Sequence, residues 1–315
     1  MLDVLEKLLL VRRVEEAIAD RYDQQKMRCP THLSIGQELP AVAVCDALDK
    51  NDLAVSTHRC HAHYIAKGGS LSAFIAELYG KATGCAKGRG GSMHLIDESV
   101  GFVGATAVVG NSIPVGTGLA MSIKLKGKQN SLAAIFIGEA AVETGAFFES
   151  VNFAATNCLP VMYVCENNLY SVYSNLEKRQ PKGRQLFEMV RGMGVNSEFI
   201  DTKDALETMN KTRQVIEKAK ENQAPLFLEF PTYRHREHCG PNFDDQLNYR
   251  DKRETEYWVS RDPLNNLYTA TQRNSLHAKE LAVIEKKIET LIKEAFDFAE
   301  KSPLPHEEDM IEYVT

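Results

Sequence analysis

Three short apolar runs, separated by amphipathic stretches, restrict this chain more than any other feature. LAAIFI covers residues 132–137, PVMYVC 160–165 and LFLEF 226–230. Runs of this length, apolar at consecutive positions, suit strands buried on both faces. Between the first two, Val142, Phe147, Val151 and Ala155 fall on roughly one face of a helix over 141–157. A second helical stretch over 203–222 precedes the third run. Strands that alternate with helices must run parallel, because each crossover returns the chain to the same end of the sheet. The expected fold is α/β, a mostly parallel sheet flanked by helices.

Helical extensions bracket this unit. Val4, Leu8, Val11, Ile18 and Tyr22 are close to helical spacing, and 40–48 and 71–79 also read as helices. Residues 84–118 are rich in glycine, which implies loops with close backbone approaches. Beyond Gln246 glycine disappears, and Leu281, Ile284, Ile288, Leu291 and Phe296 mark a long helix. The expected division is an α/β domain over 1–250 and a helical extension over 251–315.

The N-terminal apolar patch is broken by Asp3, Glu6 and Lys7, so it reads as an amphipathic helix and not a signal peptide. No apolar run approaches the ~20 residues that span a bilayer. A net charge of -6 gives no general reason to expect nucleic acid or an anionic membrane as partner. Cys29, Cys45, Cys60, Cys85, Cys158, Cys165 and Cys239 form no CxxC pair. Reduced thiols in a cytoplasm are the simplest expectation.

In a parallel sheet, ligands sit beyond the C-terminal ends of the strands. Glu139 lies just past one such end, and Asn167, Asn168 and Tyr170 lie just past the next. A carboxylate, an amide oxygen and a backbone carbonyl are hard ligands suited to Mg²⁺ or Ca²⁺. A helix opening near Ala141 would offer free N–H groups to phosphates. The spacing suggests a Mg²⁺–diphosphate corner. It is equally compatible with an acid at a helix N-terminus and a polar loop in any doubly wound fold.

The stretch from Gly138 to Asn168 resembles the thiamine diphosphate (ThDP) motif, which opens glycine-aspartate-glycine and closes with paired asparagines. Gly145, Glu149, Asn152, Ala154, Leu159 and Pro160 fall where the pattern wants them. The most similar variant is the α subunit of the E1 component of 2-oxo acid and acetoin dehydrogenases, from about Leu9 to Pro263. The resemblance implies that Glu139, Asn168 and the Tyr170 carbonyl hold Mg²⁺, with N–H groups near Ala140 and Ala141 on the diphosphate. Two positions depart from the pattern. Glu139 replaces aspartate and Ala140 replaces glycine, so a working but altered metal site is expected.

STHRCHAHYIAKG (56–68) clusters His58, Arg59, His61 and His63. Three close histidines raise the possibility of zinc, but no fourth ligand has an obvious spacing. The resemblance implies instead that His58 and Arg59 face the diphosphate and that His61 lines the active-site channel; His63 reads as a packed helix residue. GRGGSMHL (88–95) matches the family closely, and His94 looks structural or channel-lining. The loop over 101–120 is similar to the segment that holds the aminopyrimidine, through Ala107 and Val109. TYRHREHCGPNFD (232–244) resembles the loop that orders over bound cofactor, where Arg234 and His238 match residues approaching the diphosphate. Arg236 and Glu237 are departures there, and suggest an entrance tuned to a substrate more polar than pyruvate.

The resemblance implies an E1-type reaction. A 2-oxo acid or an acyloin is cleaved at a C–C bond, with His61 and His238 as candidates for proton transfer. The fragment passes to an acceptor such as the lipoyl group of an E2 protein. No second α/β unit is evident, so a separate E1 β-type subunit supplying the pyrimidine half is expected, in an α2β2 assembly. A non-oxidative ThDP decarboxylase or carboligase, and a scaffold subunit that has lost the cofactor, stay open at this stage.

Overall fold

The structure, a computed structural model, describes residues 1–27 and 29–310. In chain order, α1 (Leu2–Tyr22) and α2 (Glu38–Asp46) precede β1 (Leu53–Ser56). Then come α3 (His61–Ala66), α4 (Leu71–Leu78), β2 (Phe102–Ala105), α5 (Ser112–Leu125) and β3 (Ala133–Gly138). Next are α6 (Gly145–Thr156), β4 (Val161–Asn167), a small hairpin of β5 (Tyr170–Ser171) and β6 (Ser174–Asn175), and α7 (Leu176–Arg179). α8 (Leu186–Arg191), β7 (Asn196–Phe199), α9 (Ala205–Asn222) and β8 (Leu226–Pro231) follow. α10 (Lys252–Ser260), α11 (Pro263–Arg273) and α12 (Ser275–Lys301) come last.

Six strands form one sheet in the order β2-β1-β3-β4-β8-β7, and every pairing in it is parallel. The period-2 geometry of a strand divides its apolar residues between two cores. Ala134, Phe136, Met162, Val164, Leu226, Leu228 and Phe230 pack with helices α1, α2, α4, α9, α11 and α12. Ala133, Ile135, Ile137, Val161, Tyr163, Cys165 and Phe227 pack with α5, α6 and α8. The apolar runs are continuous because both faces are covered. At about 1.5–3 kcal/mol per buried large side chain, this two-sided core supplies the main drive to fold.

Helix α5 shows how closely one layer is seated. A Cβ built on Gly116 would lie 2.4 Å from the Ile135 Cγ1 atom of β3 and 2.8 Å from Val55 of β1. Alanine there must push the helix off the sheet, at roughly 1–3 kcal/mol. Gly116→Ala is therefore expected to lower the urea midpoint, whereas Gly118→Ala, with nothing within 4 Å of its Cβ, should not.

The chain reverses direction around the β1–β3 pair. From β1 it moves outward to β2, and from β3 outward the other way to β4. This switch point opens a crevice at the C-terminal ends of the strands. One expected element is corrected here. Residues Glu139–Glu143 form a 3₁₀ turn, and the α-helix begins at Gly145, where the Thr144 hydroxyl accepts from the Phe147 N–H at 3.3 Å. No described helix is long and apolar enough to cross a membrane. A larger groove of about 660 Å³ lies between α1 and α12, lined by charges of both signs far from the switch point.

Candidate active site

A cavity of about 130 Å³ opens at the switch point. Thr57, His58 and Arg59 reach it from the end of β1, Gly138 to Ala141 from β3, and Glu166, Asn168 and Tyr170 from β4 and the turn after it. Val109 comes from the loop after β2, His238 from the loop after β8, and Gln37 from the start of α2. Glu139, Asn168 and Tyr170 therefore share one cavity, as the spacing of the two strand ends requires.

The wall on the β1 side is cationic. Arg59 is buried; its guanidinium donates to the Leu33 carbonyl at 2.5 Å and to the His238 carbonyl at 3.1 Å. Burial, then the nearby Arg234 charge, lowers its pKa to about 10. Its guanidinium partners among the described residues are the Leu33 and His238 carbonyls and the His238 ring nitrogen, none of them a carboxylate. Arg234, also buried, donates through Nη2 to the Val172 carbonyl and to Tyr249, while its Nη1 has no partner. Gln37 holds Asn168 Nδ2 on its Oε1 at 2.8 Å and leaves its own buried Nε2 without a partner. Buried donors without acceptors are costly. An anion of diphosphate character in the cavity would satisfy the Gln37 amide and meet the Arg59 charge, so the residues lining it fit that group. The Glu139 carboxylate, the Asn168 amide oxygen and the Tyr170 carbonyl are the donors that could complete a hard divalent site. The Tyr170 hydroxyl is spent on Glu254 at 2.8 Å, so only its main chain is available.

The histidines sort differently from the sequence expectation. His61 does not join the cavity. It is wholly buried, with Nδ1 on Glu15 at 3.0 Å and Nε2 on Ser92 at 2.7 Å, so both ring nitrogens are committed and the expected channel-lining catalytic role is withdrawn. His63 is packed as expected, stacked on Phe136 between Ser56 and Glu166. A zinc grouping of His58, His61 and His63 is thereby overturned. His32, which carried no motif signal, packs beside the cavity's His58 and His238. Its ring, with those of His58 and His238, forms a cluster whose ligand nitrogens lie within 4.8 Å of one another. Ala107 and Arg234 are not among the lining residues; Arg234 reaches the carbonyl of Val172, which is one of them.

Arg236 and Glu237 are used inside their own loop. The Arg236 guanidinium lies 3.8 Å over the Phe243 ring and donates to the Pro241 carbonyl, while Glu237 accepts the Asn242 N–H at 2.8 Å. This explains the two charges as loop staples and removes the reason to read them as tuning the substrate.

A sequence profile of the dehydrogenase E1 component matches residues 6–308. The chain belongs to the dehydrogenase E1 component family. A Rickettsia bellii protein named pyruvate dehydrogenase E1 component subunit alpha is 38% identical over 304 residues, 96% of this chain and 92% of the relative. A chloroplastic subunit alpha-3 of the same name from Arabidopsis thaliana is 35% identical over 320 residues, covering 99% of this chain and 74% of the relative. The Porphyra purpurea subunit alpha is 32% identical over 322 residues, covering 100% and 92%.

The imidazole cluster of this E1 component gives a pH expectation. Burial, reinforced by the Arg59 charge, lowers His32 to about 2, His238 to about 3 and His58 to about 4. In the unfolded chain each sits near 6.5. Below that pH the unfolded state binds more protons, so each imidazole subtracts stability as pH falls from about 7, by up to ~1.4 kcal/mol per pH unit. Burial raises Glu38, Glu139 and Glu229, whose contribution has the opposite sign. The clean measurement is a difference: His58→Gln should flatten the loss of stability between pH 7 and 5 by up to one proton's slope. An unchanged slope would refute this assignment.

Proposed function

We propose that this chain is the half of a ThDP-dependent E1 component that holds the cofactor's diphosphate and its divalent metal. With a separate β-type subunit it cleaves the bond beside the carbonyl of a 2-oxo acid of the pyruvate class and passes the fragment to a lipoyl acceptor. The carrying observation is the meeting of three hard oxygen donors with the buried Arg59 guanidinium and the unpartnered Gln37 amide at one switch point.

In this reading Arg59 and Gln37 bind the diphosphate from the cavity wall, with the N–H groups of Ala140 and Ala141 at its strand-end side, and Arg234 supports it from outside that wall. Glu139, Asn168 and the Tyr170 carbonyl hold Mg²⁺. The bound ThDP supplies a carbon nucleophile and an electron sink. His238 is our candidate for moving a proton. Arg59 Nη2 lies 3.4 Å from its Nδ1, an arrangement that favours the proton on Nε2, and the ring is neutral at pH 7. His58 and His32 are neutral beside it and add no charge to repel. Ala107 and Val109 are assigned to the aminopyrimidine edge.

The β-type partner is supported by surface character. Val108, Val109, Val115, Phe148 and Phe153 are exposed on the loop after β2 and on the adjoining helices α5 and α6. Such a patch beside a cavity marks a protein interface. An α2β2 assembly follows, and the free state of all seven cysteines agrees with a cytoplasmic setting.

The test is calorimetry of the co-expressed complex with ThDP and Mg²⁺, followed by reductive acylation of lipoamide. Saturable heat and acyl-lipoamide formation are expected. Heat with carbon dioxide release but no acylation would favour a non-oxidative enzyme, and no heat would favour a scaffold subunit.

A further inference from the structure

One cation at the metal corner belongs to no motif. Arg179, on the last turn of α7, sends Nη2 to Glu139 Oε1 at 2.5 Å and Nη1 to Glu143, while its Nε donates to the Ser174 carbonyl at 3.2 Å. Glu139 is 2% exposed, so its charge is met by a guanidinium inside the fold and not by water. The same short segment carries both parts. Tyr170–Ser171 pairs antiparallel with Ser174–Asn175, and the Leu176 N–H donates to the Leu169 carbonyl at 2.7 Å. The turn holding Asn168 and Tyr170 is thus tied directly to the helix that aims Arg179.

We propose that Arg179 is a resident counter-ion for the metal corner, which occupies the Glu139 carboxylate until a divalent ion displaces it. This rests on the assignment of Glu139 to the metal. A buried carboxylate without a cation is strongly unfavourable. The guanidinium offsets part of that cost and helps keep the corner folded. A divalent ion must then compete with it for the same oxygen. Glu143, more exposed than Glu139, gives the displaced guanidinium a place to stay. The extra methylene of Glu139, compared with the family aspartate, lets the carboxylate serve either cation. Metal affinity in this chain is therefore set by an intramolecular competitor as well as by the three oxygen ligands.

The experiment is an electron paramagnetic resonance titration of the co-expressed complex with Mn²⁺ alone, paired with thermal unfolding with and without Mn²⁺. Arg179→Gln should lower the Mn²⁺ half-saturation about 10- to 100-fold, the range of one charge-assisted hydrogen bond. The metal-free midpoint should fall, and added Mn²⁺ should restore it. Arg179→Lys, which keeps a charge but not the fork, should lie between. Glu143→Gln, should Arg179→Gln fail to fold, must weaken Mn²⁺ binding, because the displaced guanidinium loses its second site. Equal half-saturation in wild type and Arg179→Gln would overturn the counter-ion and leave the cofactor reading standing. Absence of Mn²⁺ binding in every form would overturn both, since no metal corner would exist.

Discussion

Glu77→Ala is expected to destabilise the chain by about 4 kcal/mol. The side chain is wholly buried at the end of α4. Its Oε2 accepts the N–H groups of Ala86 at 2.7 Å and Gly88 at 2.9 Å; its Oε1 accepts those of Gly90 at 2.7 Å and Gly91 at 3.1 Å. One carboxylate thus replaces the hydrogen bonds that a glycine-rich loop cannot make to itself. Each donor left dry costs roughly 1–3 kcal/mol, and water entering the gap recovers part of the sum. Against a typical net stability of 5–15 kcal/mol the remainder is large. Glu77→Gln should be nearly as harmful, because an amide NH₂ would face donors. The loop also ends on Ser92, which holds His61, which in turn holds Glu15, whose other oxygen accepts the Ser34 N–H. Loss of the clamp should therefore loosen the Leu33 region that anchors Arg59. Urea denaturation of the complex checks this, and a loss under 1 kcal/mol in both variants would show that the loop holds itself.

That clamp marks the limit of what the residues alone disclose. The α/β class and the corner of Glu139, Asn168 and Tyr170 were legible, since both depend on local periodicity and on strand ends adjacent in sequence. β1, β2 and β7 were not. They are four residues long, two lie at the sheet edges, and Gly104 or polar Asn196, Ser197 and Glu198 interrupt any apolar run. His61 was misjudged because short spacing on α3 says which residues are near, not which way each ring turns. Its neighbour across space, Glu15, is 46 positions away. His32, Gln37 and Arg179 were missed for the same reason. Each reaches the cavity, its metal corner or its histidines through tertiary packing, and none stands in a pattern with its own periodicity. Glu166 could have been found, as a second acid at a strand end one residue before the paired asparagines.

Arg59→Met is expected to separate folding from function more sharply than any other substitution in this chain. A guanidinium placed only to hold the fold should cost stability when removed. Here two opposing terms nearly cancel. The Leu33 and His238 carbonyls lose a donor, at roughly 1–3 kcal/mol. A buried charge without a carboxylate partner is removed at the same time, and its desolvation penalty is of several kcal/mol. Burial and, after it, the Arg234 charge both disfavour the Arg59 cation, and both penalties disappear with it. The ligand-free complex should therefore keep its stability to within about 1 kcal/mol. The cofactor loses a bidentate, low-dielectric contact to its diphosphate, and Lys could not replace that planar fork. Affinity for ThDP with Mg²⁺ should drop at least about 100-fold, the upper range of a charge-assisted hydrogen bond. Wild type at 100 times its dissociation constant gains about 2.7 kcal/mol of stability from ligand, and Arg59→Met at the same concentration should gain almost none. Thermal unfolding with and without ThDP and Mg²⁺ reads both quantities at once. A ligand-free complex that melts early, or a variant that keeps the ligand-induced gain, would mean that Arg59 serves the fold and that the diphosphate lies elsewhere.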